Sequence, residues 1–271
     1  MMQANRSSAD ASHPDIRKTQ RVVVTGAARG IGLAIARAFL AQDAQVLVCD
    51  NDHAALAALS HTDPKLRAER ADVADPASVA AFMAGARDAL GGLDVLINNA
   101  AITGPFGPVD ENDPALWAQA ISVNLVGQFN CAHYGVPLLK AAGGGSLVNM
   151  SSVAGRLGYP LRSSYAASKW GIIGLTQTLA MELGEFGIRV NAILPGIVDT
   201  ERHRRQLSAQ ASRLGISEED MNTRYLETIS LREKASEEEI ADLVLFICSA
   251  KGRHISGQSL GVCGNLETMR R

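Results

Sequence analysis

The sequence predicts an α/β fold, with one doubly wound parallel sheet of about seven strands and helices on both faces. Three observations carry this expectation. Short β-branched runs alternate with longer amphipathic stretches from about residue 20 onward, the rhythm that produces parallel pairing. The 271 residues are 46% hydrophobic but only 4% aromatic, so the core draws on Ala, Val, Leu and Ile, as strands buried on both faces require. No linker-like stretch or change of composition divides the chain, and no repeat of about 20 to 50 residues competes. Residues 19–271 are therefore expected to form a single domain.

Residues 1–18 are polar, without the apolar centre of a signal peptide, and are expected to be a disordered tail. Arg21–Thr25 reads as the first strand. It meets Gly26-Ala27-Ala28-Arg29-Gly30-Ile31-Gly32 and then an amphipathic helix over 33–40. Glycines at such a junction let the backbone turn tightly and approach a ligand, and the amides of a helix N-terminus can hold a pyrophosphate. The spacing G-x-x-x-G-x-G differs from the G-x-G-x-x-G fingerprint, so on this loop alone an ordinary tight turn stays open. A second strand over 45–49 ends at Asp50, about 20 residues beyond the glycines, where a ribose-binding carboxylate is expected. A helix cap is the alternative for Asp50. A third strand over 66–71 leads into Asp72-Val73-Ala74-Asp75-Pro76, where Asp75 and Pro76 read as a cap. The helix over 77–90 stops at Gly91-Gly92.

The fourth strand, 93–97, enters Asn98-Asn99-Ala100-Ala101, placing two amides at the sheet edge where ligands bind in open parallel sheets. A long helix over 114–140 carries Asn124, which by itself reads as a polar residue on a solvated face. The fifth strand, 146–150, leads to Ser151 and Ser152. Successive strand residues point to opposite faces, so one of the two serines faces the site. Tyr165 and Lys169 are four apart at the start of the next helix, 164–186, and share one face. A cation beside a phenol favours the phenolate and brings a group that titrates near about 10 toward values useful for proton transfer. A sixth strand over 188–193 turns at Leu194-Pro195-Gly196. Residues 200–234 are charged and irregularly helical. The stretch 236–249 pairs Ser236 with Glu239 as a capping box ahead of Ile240, Val244 and Ile247. Residues 259–263 read as the last strand.

The net charge of -2 provides no basic field for nucleic acid, and no run approaches the roughly 18 apolar residues of a membrane span. A small-molecule partner is expected instead. Cys49, Cys131, Cys248 and Cys263 lack metal-ligand spacing, which points to reduced thiols, a cytoplasmic location and no metal site.

These motifs, in this order over residues 20–265, resemble the short-chain dehydrogenase/reductase family, whose fold is Rossmann-like. Thr25-Gly26-x-x-x-Gly30-x-Gly32 resembles its nucleotide loop, Asn98-Asn99-Ala100 its fourth-strand signature and Pro195-Gly196 its nicotinamide turn. Ser152 with Tyr165-x-x-x-Lys169 resembles its catalytic set. The family's catalytic serine lies thirteen residues before the tyrosine, which selects Ser152, and its relay asparagine matches Asn124. The resemblance implies that Tyr165 moves the proton and Lys169 holds the nicotinamide ribose and lowers the Tyr165 pKa. It also implies that Ser152 steadies the substrate oxygen while Asn124 positions a water. It further implies cofactor contacts from Gly26, Arg29, Gly30, Ile31 and Gly32, from Asp50, Asp72, Val73 and Asn99, and from Pro195, Gly196, Val198 and Thr200. Ala101 departs from the family's usual glycine, and Gly261-Val262-Cys263-Gly264-Asn265 from its usual ending.

The implied function is hydride transfer between NAD and a CH–OH group of a secondary alcohol, polyol, sugar or cyclic diol. An NADPH-dependent reductase of carbonyls such as 3-oxoacyl thioesters is the alternative. Intact Asn124, Ser152, Tyr165 and Lys169 argue against a third reading, a non-catalytic nucleotide-binding protein. Asp50 favours NAD, since its charge repels a 2'-phosphate, whereas Arg29 argues for NADP. By analogy, residues 200–234 form a substrate lid and the long helices pair into a homotetramer. Arg156, Arg162, Arg202 and Arg205 are candidates for an anionic substrate group, although the interspersed acids of the lid equally describe a solvated face.

Overall fold

The computed structural model describes residues 19–63 and 65–269; the tail expected over residues 1–18 lies outside them. The strands are β1 (Arg21–Thr25), β2 (Gln45–Asp50), β3 (Arg67–Arg70), β4 (Val95–Asn98), β5 (Gly145–Met150), β6 (Ile188–Pro195) and β7 (Ser259–Val262). They form one sheet in the order β3-β2-β1-β4-β5-β6-β7, and every pair is parallel. The order reverses between β1 and β4, so a crevice opens beyond their C-terminal ends.

The α-helices are α1 (Gly30–Leu40), α2 (His53–Thr62), α3 (Pro76–Leu90), α4 (Pro114–Ile121), α5 (Gly127–Ala141), α6 (Ser163–Leu183), α7 (Glu201–Leu214), α8 (Glu218–Glu227) and α9 (Glu237–Cys248). Side chains alternate across each strand, which divides the core in two. Val22 and Val24 of β1 pack with Ile35 and Phe39 of α1 and Ile240 and Val244 of α9. Val23, between them, points to the opposite face, toward Phe82 and Met83 of α3 and Leu139 of α5. Continuous apolar runs therefore serve both layers. The expected caps are present: Asp75 accepts the Ala77 amide ahead of Pro76, and Ser236 and Glu239 form a reciprocal box.

Two elements depart from the sequence reading. Helix α2, with weak apolar periodicity, was not expected; Asp52 caps it by accepting the Ala55 amide. The long helix expected over 114–140 is interrupted by a π-turn at Ser122–Val126. The wider turn rotates the chain inward, and Asn124, which by itself reads as a residue on a solvated face, is fully buried. Residues 200–234, expected as a lid, contain α7 and α8, capped by Thr200 and Ser217. A parallel bridge between Val198 and Ala235 closes the neck of this segment.

Candidate active site

The nucleotide end of the crevice is built by the turn after β1. Gly26 and Gly30 have φ of 62° and 63°, a left-handed conformation that side chains disfavour. A Cβ on Gly26 would lie 2.6 Å from the Ala100 backbone, and one on Gly32 would lie 2.5 Å from the Asn99 amide. The turn is thus flush against the end of β4. Asn99 Nδ2 donates to the carbonyls of Thr25 and Gly26 at 3.0 and 2.8 Å. Thr25 Oγ1 accepts the amides of Asn99 and Ala100 at 3.0 and 3.1 Å. No side chain caps the N-terminus of α1, which leaves its first amides directed at the crevice.

Asp50, at the end of β2, accepts the Ala28 amide at 3.2 Å and the Asp52 amide at 3.0 Å, so its carboxylate is held at the edge of this turn. Arg29 forms an ion pair with Asp52. The Ala55 amide and then Arg29 hold the Asp52 carboxyl below its ordinary range. Asp72 receives Asn51 Nδ2 at 3.3 Å, while Val73 is buried in the core with its carbonyl bonded to Asn130.

The reacting end lies beyond β5 and β6. Ser151 donates to the Lys169 carbonyl at 2.8 Å and so braces α6. Ser152 accepts the Ala154 amide at 3.1 Å and is hydrogen-bonded to Tyr165. Both serines line the cleft, where only one was expected to face the site, but the Ser151 hydroxyl is committed to α6. Lys169, 2% exposed, donates to the Met150 carbonyl at 2.8 Å, and its Nζ lies 5.5 Å from the Tyr165 ring centre. Asn124 commits its side-chain amide to protein partners. Its Oδ1 accepts the Ile102 amide at 2.8 Å, and its Nδ2 donates to the Ile102 carbonyl at 2.9 Å and to Ser168 at 3.1 Å. The side chain fastens the loop after β4 to α6.

Burial dominates the electrostatics of Tyr165 and Lys169. Burial pushes the Tyr165 phenol above its ordinary pKa, while the Ser152 hydrogen bond and the charges of Arg202 and Arg162 pull it down. Although the ring is partly open to the cleft, protein atoms crowd out water around its hydroxyl. Burial brings the Lys169 ammonium down to about 7, and the charge of Arg202 adds to this. Desolvation disfavours the Lys169 cation beside the phenol, while Ser152 and the two arginines favour the phenolate.

The cleft at this end encloses about 980 Å³, part of it open to solvent. Of the residues singled out in the sequence, Ile31, Asn99, Ser152, Arg162, Tyr165, Lys169, Pro195, Gly196, Val198, Thr200 and Arg202 line it. Gly26, Arg29, Gly30, Gly32, Asp50, Asp72 and Val73 are not part of this lining and lie in the turn from β1 into α1 and at or beyond the ends of β2 and β3. Arg156 points to the outer side, where its guanidinium meets the Cys263 thiol at 3.4 Å. Arg205 pairs with Glu201 at 3.1 Å on the exposed face of α7. Sequence reasoning missed Tyr159, Leu266 and Met269, which also line the cleft. The last two follow the final strand, where no motif signals a wall. Among the described residues no group of three metal-ligating side chains occurs, and no helix is long and apolar enough to cross a membrane.

A model of the family described as short chain dehydrogenase matches residues 20–211. The chain belongs to the short-chain dehydrogenase family. It is 36% identical over 252 residues to the trans-4-hydroxycyclohexanecarboxylate dehydrogenase of Sinomonas cyclohexanicum, covering 89% of this chain and 90% of that one. It is 35% identical over 245 residues to the galactitol 2-dehydrogenase of Agrobacterium fabrum, covering 89% and 95%. A crystal structure of an actinorhodin polyketide ketoreductase variant with NADPH superposes with a TM-score of 0.87 at 29% identity, covering 92% of this chain and 97% of that one. As a short-chain dehydrogenase, the protein is a nicotinamide-dependent oxidoreductase acting on CH–OH groups and the corresponding ketones.

Proposed function

We propose that the protein is an NAD-linked dehydrogenase of secondary alcohols in which Tyr165 carries the proton. The convergence of Ser152, Tyr165 and the buried Lys169 on one cleft is the observation that carries this reading. The glycine turn fits a dinucleotide, because the first amides of α1 have no side-chain cap and suit a pyrophosphate, and a Cβ on Gly30 would meet only Glu237, at 3.8 Å. Ile31 and Asn99, with Pro195, Gly196, Val198 and Thr200, would flank the nicotinamide end, and Lys169 the ribose. When bound, the nicotinamide supplies the hydride acceptor or donor. Ser152 orients the substrate oxygen, Tyr165 Oη takes its proton, and Asn124 acts as a positioning residue that holds the loop after β4 against α6. Helices α7 and α8 form the lid over the substrate and exclude water from the reacting oxygen. Initial rates of NAD reduction on a panel of secondary alcohols, polyols and hydroxycyclohexanecarboxylates test the reading.

Asp50 supports NAD over NADP, because a 2'-phosphate would face its carboxylate. Arg29, which favours the NADPH-reductase alternative, is engaged by Asp52. The repulsion is on the order of 2 kcal/mol, so kcat/KM should favour NAD about thirtyfold. Asp50→Ala should narrow the preference. Equal or higher kcat/KM with NADP in the wild-type enzyme would contradict the assignment.

A cytoplasmic homo-oligomer, most simply a tetramer, is part of the same proposal. Leu116, Val126 and Phe129 leave apolar surface exposed along α4, the π-turn and α5, as do Trp170 and Met181 along α6. Isologous pairing of these helices would cover it. Light scattering at micromolar concentration should give a multiple of the chain mass, and Phe129→Asp should lower it. The mass of a single chain in the wild-type protein would contradict the proposal. Three of the four thiols are buried, which suits a reducing compartment.

A further inference from the structure

Two guanidinium groups from separate elements enter the reacting cleft, Arg162 immediately ahead of α6 and Arg202 in the first turn of α7. Among the described residues, neither forms an ion pair with a carboxylate, and the cleft lining contains no acidic side chain. Arg202 donates to the Ala101 carbonyl at 3.2 Å. Arg162 reaches the Gly104 carbonyl at 3.5 Å and lies 4.7 Å from the Phe106 ring centre. Neighbouring lid arginines are engaged differently: Arg204 lies 3.8 Å from Asp199 and Arg205 lies 3.1 Å from Glu201. Both cleft charges also act on Tyr165, so they stand near the oxygen that would exchange its proton.

Part of the remaining wall is apolar, while Thr103, Thr200, His203 and Gln206 add polar groups beside it. Val153, Tyr159, Ile197, Leu266 and Met269 line the apolar part and belong to one hydrophobic cluster. Leu266 and Met269 come from the C-terminal strap, which is tied to the end of the lid by a bridge between Ile229 and Leu266. The Glu267 amide adds a bond to the Thr228 carbonyl at 2.9 Å. A polyhydroxylated substrate would leave without partners any hydroxyl laid against this apolar part. An apolar body with one anionic end satisfies both surfaces, because guanidinium forks match carboxylate geometry.

We infer that the substrate is an apolar-bodied secondary alcohol or ketone ending in a carboxylate, whose anionic group is held by Arg202 and Arg162. This rests on the dehydrogenase reading of the same cleft. The test is calorimetric titration, with and without NADH, of two ligands that cannot react: cyclohexanecarboxylate and cyclohexanecarboxamide. In the wild-type protein the acid should bind roughly 10- to 100-fold more tightly than the amide, with a preference that shrinks as salt rises. Arg202→Met should remove most of the preference, Arg202→Lys should retain part of it, and Arg156→Met, outside the cleft, should leave it intact. Equal affinities in the wild-type protein would overturn the inference, as would a preference that survives in both Arg202→Met and Arg162→Met. NAD reduction by neutral alcohols with no preference for acids would sink the inference and leave the dehydrogenase reading standing. Acid preference without turnover of any alcohol would sink that reading, and with it the substrate assignment.

Discussion

Replacing Tyr165 by Phe is expected to lower kcat by roughly 100- to 10,000-fold, the usual contribution of a positioned acid or base. The change deletes one oxygen and leaves the ring between Tyr159 and Lys169, 6.4 Å from the Tyr159 ring centre and 5.5 Å from Lys169 Nζ. Binding of the cofactor, read by NADH fluorescence, should therefore be nearly unchanged. The wild-type oxidation rate should rise with pH, since the phenol must accept a proton and burial places its pKa above the ordinary value. The residual activity of Tyr165→Phe should lack that limb. Retention of more than about a tenth of the rate, or a variant profile that rises as the wild type does, would remove Tyr165 from this role.

Lys169→Met is expected to inactivate the enzyme and to stabilise it. A lysine free in the unfolded chain titrates near about 10.4, whereas burial brings Lys169 down to about 7. Between these values the unfolded chain binds more protons than the folded one. The cost of burying the charge is therefore complete below about 7 and fades as pH rises toward about 10. Methionine has similar length and no charge, but loses the bond to the Met150 carbonyl, typically worth about 1 kcal/mol. The net gain at neutral pH should be on the order of 2 kcal/mol, a rise of a few degrees in Tm, shrinking at alkaline pH. Activity should fall by at least about 100-fold, because the ammonium beside Tyr165 is gone. Thermal melts at neutral and alkaline pH check this. An unchanged or lower Tm at neutral pH would contradict the buried charge.

The parallel sheet is legible in the sequence because its strands are buried on both faces, so each is a continuous apolar run bounded by glycine, proline or a polar cap. The chemistry is legible for a related reason. Tyr165 and Lys169 meet through helical periodicity, which is a local rule. The residues that escaped depend on long-range geometry. Asn124 turns inward only because of a π-turn, for which the sequence shows no breaker. Leu266 and Met269 become a wall only because the lid end at Ile229 holds the strap. Among the arginines, composition cannot distinguish Arg202, which faces the cleft, from Arg205, which faces Glu201 one turn later. Helix α2 lacked a polar face to mark its period, leaving only the Asp52 cap as a signal.

The most direct test of the central claim is the appearance of reduced cofactor when the wild-type enzyme is given NAD and a panel of secondary alcohols that spans neutral, polyhydroxylated and carboxylated members. The account predicts reduction of NAD by at least one member, faster than reduction of NADP and accelerating with pH. Binding of NADH without reduction of NAD or NADP by any alcohol, and without oxidation of NADH or NADPH by the matching ketones, would contradict it.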